Sequence, residues 1–80
     1  MTVTDYRPVD CDLHSEYELA ILHQDKLELS WREADGKARI ETIIPLDLRT
    51  RNNEEFMLVS GADGTELEIR LDRITHFGRA

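Results

Sequence analysis

Apolar and polar residues recur along this chain with two different periods, and the change of period divides it. Leu13, Tyr17, Ala20 and Ile21 follow one another at i, i+4, i+7 and i+8, which places them on one stripe and predicts a helix over residues 12–23, inside a helical segment 11–24. Asp12 is read as its N-cap, because a carboxylate there accepts a bond from an unpaired first-turn amide. Glu16 and Glu18 border the stripe and Ser15 lies opposite, while Leu19 and Leu22 fall off it, so the helix is short or packs on two sides. From residue 27 the period becomes two. Leu27, Leu29 and Trp31 alternate with Glu28, Ser30 and Arg32, the pattern of a half-buried strand. Asp35-Gly36 signals a hairpin turn. Ala38, Ile40, Thr42 and Ile44 form one face of a second strand, whose ladder Pro45 interrupts. Residues 46–54 are polar and read as a loop carrying Arg49 and Arg51. Phe56 to Ser60 reads as a third strand, and Gly61-Ala62-Asp63-Gly64 as a turn with two glycines to supply positive φ. Leu67, Ile69 and Leu71 mark a fourth strand, and Ile74 to Phe77 a fifth.

The fold class is therefore mainly β: a short N-terminal helix, then about five antiparallel strands over residues 26–77. Residues 1–10, polar and containing Pro8, read as an irregular arm. Eighty residues make one domain, 1–80. A sheet this small must curl or close to hide its edges, in a small barrel or sandwich with the helix over one opening. Sm-like and OB-like barrels both qualify, and helix-first order favours the Sm-like arrangement.

Charge narrows the choice of partners. The chain carries 17 acidic and 10 basic residues, net −7. Residues 1–28 hold seven of the acids and two of the bases, so the negative field is concentrated there. Such a surface repels a nucleic acid backbone and suits a basic partner, including a protein surface built to hold nucleic acid. The plainer alternative is that the charge keeps a small protein soluble. No apolar run approaches the ~20 residues of a membrane-spanning helix, and no basic-then-apolar leader opens the chain. One cysteine, Cys11, excludes an internal disulfide. The expected compartment is the cytoplasm.

Candidate chemistry is sparse. Cys11 and His14 form a C-x-x-H pair with His23 nine residues on, but the second pair of a structural zinc site is absent, so no metal is expected. Cys11 is read as a buried structural thiol, since nothing marks an oxyanion hole or an activating pocket. Glu54 and Glu55 point to opposite sides of a strand, and no phosphate-cradling glycine loop is present. Neither an enzyme nor a cofactor is expected. Trp31 and Phe56 would suit base stacking, but their alternating positions beside aliphatic residues favour a core role.

Three segments resemble the Rho-binding antiterminator (Rof) family. Tyr6-Arg7-Pro8-Val9-Asp10-Cys11-Asp12 followed by Glu18-Leu19-Ala20 is similar to the family's opening, Arg51-Asn52-Asn53-Glu54-Glu55-Phe56 to its R-K-N-x-E-Y stretch, and Leu67 to Phe77 to its L-R-L-D-K-I-T-x-F ending. Their order and spacing cover nearly the whole chain. The pattern departs at His14 and Ser15, where the family has an aromatic and a second aspartate, and at Asn52, where it has lysine. The resemblance implies an N-terminal helix on an Sm-like barrel that binds transcription termination factor Rho, a hexameric RNA-dependent helicase, at the N-terminal OB-fold region carrying its primary RNA site. RNA would be kept out and termination inhibited. On that reading Asp12, Glu16 and Glu18 face basic residues of Rho, Arg51 and Asn53 add a second contact, and Tyr6, Pro8 and Cys11 fix the arm and the helix start. The free protein is expected to be a monomer that binds no nucleic acid itself. An Sm-like RNA-binding module and an acidic interaction domain for another basic protein are the competing expectations.

Overall fold

A computed structural model describes residues 9–79. Most of the expected arm, with Tyr6 and Pro8, lies outside the described residues. Helix α1 spans Cys11–His23, and strands β1 Leu27–Arg32, β2 Ala38–Arg51, β3 Glu54–Gly61, β4 Glu66–Arg70 and β5 Ile74–Arg79 follow, with a short 3₁₀ turn over Leu71–Arg73.

The helix begins one residue before the periodic run 12–23, and its cap lies two residues before the expected Asp12. Asp10, not Asp12, is the N-cap: its backbone is extended and its Oδ1 accepts the Leu13 amide at 2.8 Å. Starting there lets Val9 and Leu13 both pack against the core. Asp12 becomes a first-turn acid, favourably placed at the positive end of the helix dipole. The helix closes without glycine. Gln24 takes the left-handed conformation (φ 55°, ψ 38°), its amide donates to the Ile21 carbonyl, and the Asp25 amide donates to that of Ala20.

Among the described residues all four strand pairings are antiparallel, in the order β4-β3-β2-β1-β5. The mainly β, helix-first, five-stranded expectation is met. No ladder joins β4 to β5 among the described residues, so by pairing the sheet is open. It is nevertheless bent. Its two edge strands would stand four spacings, about 19 Å, apart in a flat sheet. They are joined by Leu71–Arg73 alone, and the four steps from Arg70 to Ile74 reach at most about 14 Å. Register shifts between Ser30 and Trp31 and between Pro45 and Asp47 supply points of bending.

Strand β2 corrects the expected 46–54 loop. It runs on through Pro45 for 14 residues. Its first part pairs with β1 as far as Ile43, and its second pairs with β3 from Ile43 onward. Pro45 sits just past this hand-over, beside the bulge at Leu46, one of the few places in a sheet that tolerates a missing N–H. Only Asn52-Asn53 remain as turn, with φ 50° and 65°, the two left-handed residues of a type I′ hairpin. In the next turn Gly64 alone has positive φ; Gly61 ends β3. Leu71 belongs to the 3₁₀ turn and not to β4.

Tyr17 and Ala20 of the helix meet Leu27, Leu29, Trp31, Ile43, Met57, Val59, Ile69 and Leu71 in the core. The Tyr17 and Phe77 rings lie 4.9 Å apart and tilted, tying the helix to β5. Burial pushes the Tyr17 hydroxyl up to about 12, with Glu16 adding to the shift.

Candidate protein-binding surface

Helix α1 presents its unburied sides to solvent. Leu19 and Leu22 stand out there at 53% and 74% exposure. At 100° per residue Glu16 and Glu18 flank this apolar ridge on opposite borders, with Asp12 between Leu19 and Glu16. The three acids singled out in the sequence therefore share one helix but look to different sides. Glu18 turns toward β3: His14 Nδ1 lies 2.7 Å from Glu18 Oε1, and His14 Nε2 lies 3.4 Å from Glu55 Oε1. Glu16 faces β5 across a groove lined also by Phe77 and Arg79. Among the described residues no lysine or arginine lies within ion-pair distance of Asp12, Glu16 or Glu18.

Arg51 is placed differently. Its Nη2 lies 2.7 Å from Glu68 Oε1 and its Nη1 lies 3.1 Å from Oε2, a two-pronged bond across β3. Its guanidinium also covers the Phe56 ring at 4.5 Å. Arg51, with help from Arg49, holds the Glu68 carboxyl below its usual range. In β3 Glu55 alternates with Phe56, so the Arg51 side of the hairpin is the face away from the helix. Asn53 sits at the hairpin tip between the two faces. The His14–Glu55 contact brings that tip close to the first half of α1, two residues beyond Asn53 in sequence.

Trp31 is in the core as expected. Phe56 is only half-buried, outside the core and under Arg51. Cys11 is an exposed free thiol, not a buried one, because the helix begins at this residue and turns it to solvent. Sequence reasoning did not connect Glu55 to His14, because that contact depends on the fold. The His14–Glu18 contact was readable from its i, i+4 spacing. Among the described residues no three His, Cys, Asp or Glu side chains are grouped to hold a metal ion. No helix among them is long and apolar enough to cross a membrane.

No family model matches the chain. Curated proteins do. The chain is 36% identical over 72 residues to "Protein rof" of Escherichia coli K12 and, by the same measures, to "Protein rof" of Shigella flexneri, an alignment spanning 90% of this chain and 80% of each relative. The chain belongs to the Rof family.

Proposed function

We propose that this chain binds transcription termination factor Rho near its primary RNA-binding site, excludes RNA from it and so inhibits Rho-dependent termination in the cytoplasm. The observation that carries this reading is the α1 surface: Asp12, Glu16 and Glu18 around an exposed Leu19–Leu22 ridge, with no lysine or arginine among the described residues in ion-pair contact with them. A protein groove that holds RNA is electropositive, and an uncompensated acidic face with an apolar centre complements it. Family membership supplies the choice of Rho over any other basic protein. The protein acts as a monomer that occupies a site, without catalysis and without binding RNA itself. Asn53, at the tip beside the first half of the helix, belongs to the same contact. Arg51 contributes as the Glu68-anchored support of that tip or by exchanging Glu68 for a group on Rho.

The test is fluorescence anisotropy of a labelled C-rich RNA on purified Rho, titrated with this protein, beside a control titration of the RNA alone. Displacement from Rho with no binding in the control is the expected result. Binding in the control without displacement would instead establish an RNA-binding module, and no effect in either titration would remove Rho as the partner.

A further inference from the structure

The second half of α1 and edge strand β5 enclose an open groove of about 410 Å³. Its floor is apolar, formed by Ala20 and by Phe77, whose ring is fixed against Tyr17. Leu19 forms a half-exposed apolar wall. Glu16 stands on the helix side and Asp25 at the start of the chain's turn into β1. Among the described residues Arg79, at the rim, is the one lysine or arginine lining the groove, with Nη2 3.8 Å from Asp25 Oδ2 and its side chain 81% exposed. His23 Nδ1 lies 4.0 Å from the same carboxylate oxygen.

We propose that this groove seats an arginine side chain presented by a partner protein. An arginine has an apolar stem and a flat cationic head, and the groove offers their complements in that order. The stem lies along Leu19 and Ala20, the guanidinium stacks against Phe77, and the carboxylates of Glu16 and Asp25 receive its N–H groups. Arginine suits such a site better than lysine because its head is more weakly hydrated and stacks on aromatic rings. The negative end of α1 opens on the same side and favours a cation. Arg79 shows the chemistry in place: a guanidinium already approaches Asp25, but from the rim, leaving the floor open. The contact depends on the arginine's chemistry and not on which protein supplies it.

The test uses the full chain and the blocked tripeptide acetyl-Gly-Arg-Gly-amide, followed by amide NMR. Saturable shifts at Ala20, Leu27 and Gly78 are expected. Glu16→Gln with Asp25→Asn should weaken the peptide about tenfold or more, as loss of bonds to a charged head requires. Arg79→Ala should tighten it up to about fivefold, because the internal competitor for Asp25 is gone. An acetyl-Gly-Glu-Gly-amide control should leave these amides unmoved. Absence of saturable shifts, equal shifts with the acidic peptide, or unchanged affinity in the well-dispersed double variant would overturn the proposal. Should the double variant lose its native spectrum, an Arg79→Ala affinity no tighter than that of the parent would do the same.

Discussion

Tyr17 shows how one side chain links packing to pH. Its ring is 1% exposed and its hydroxyl titrates at about 12, against 10.0 for a free tyrosine. The folded state thus favours the protonated form. That contribution to stability is complete below pH 10 and is lost as pH rises from 10 toward 12. With Tyr6→Phe in place, Tyr17 is the only tyrosine, and absorbance at 295 nm should report its ionisation coupled to loss of the native circular dichroism. Ionisation near pH 10 with the fold intact would contradict the burial argument. Glu68 has the opposite sign. Arg51 lowers its folded value below the usual 4.5, so its contribution is present above that pH and fades as pH falls through the folded value. The fall in Tm on acidification to pH 3 should be smaller for Glu68→Gln than for the parent protein. The hairpin tip offers a third residue-scale test. Asn52 and Asn53 hold positive φ, which a β-branched side chain opposes by about 1–2 kcal/mol. Asn53→Val should therefore lower stability by that order, whereas Asn53→Gly should preserve it. If Asn53→Gly also preserves Rho affinity, the asparagine serves the turn and not the interface.

The elements separate what a linear reading can reach from what it cannot. Strand β1 was legible because Leu27, Leu29 and Trp31 face the core while Glu28 and Arg32 face water, so each residue reports its own side. The second half of β2 was not. Only Leu48 turns to the core there, and Arg49 and Arg51 look polar in sequence because their partner, Glu68, lies two strands away. Pro45 seemed to end the strand because its tolerance depends on a hand-over between neighbours that no local pattern records. The acids of the helix were legible as candidates from composition and family resemblance. Their division between the β3 and β5 sides, and the groove beside Glu16, arise from how α1 lies on the sheet. The helix start was misread for a simpler reason: Asp12 is a competent cap by residue type, and no local pattern marks Asp10 as the one used. Circular dichroism melts decide between them. Asp10→Ala should cost about 1 kcal/mol, the usual worth of an N-cap, and Asp12→Ala should cost less because it removes only a charge in the first turn. Equal losses would mean that Asp12 also caps.

Across the whole molecule, the negative charge is unevenly neutralised. On the sheet, acids and arginines interlock: Arg39 with Glu33 and Glu41, Arg49 and Arg51 with Glu68, Arg70 with Glu54 and Asp72. Most of these pairs are exposed and add little stability individually, while Arg70–Asp72 is two-pronged and only 12% and 10% exposed; together they cancel the field on that side. On α1 no lysine or arginine among the described residues cancels Asp12, Glu16 or Glu18, and only His14 meets Glu18. The carboxylates of Asp12, Glu16 and Glu18 are thus directed outward from the helix. This asymmetry predicts separable effects on binding and folding. Glu16→Lys with Glu18→Lys reverses charge at two solvent-facing positions that contribute no core packing, so Tm should shift little. Rho affinity should fall at least tenfold, chiefly through slower association, because the steering field is reversed. The parent protein's affinity should weaken as salt rises and the Debye length shrinks to about 8 Å near 0.15 M, while the double variant should lose much of that salt dependence. The control is Glu66→Lys on β4, which adds the same kind of charge away from the helix. Were it to weaken Rho binding as strongly as the helix reversals, net charge and not the helix face would be the determinant. Were the helix reversals to leave affinity intact, the binding surface would lie elsewhere on the chain.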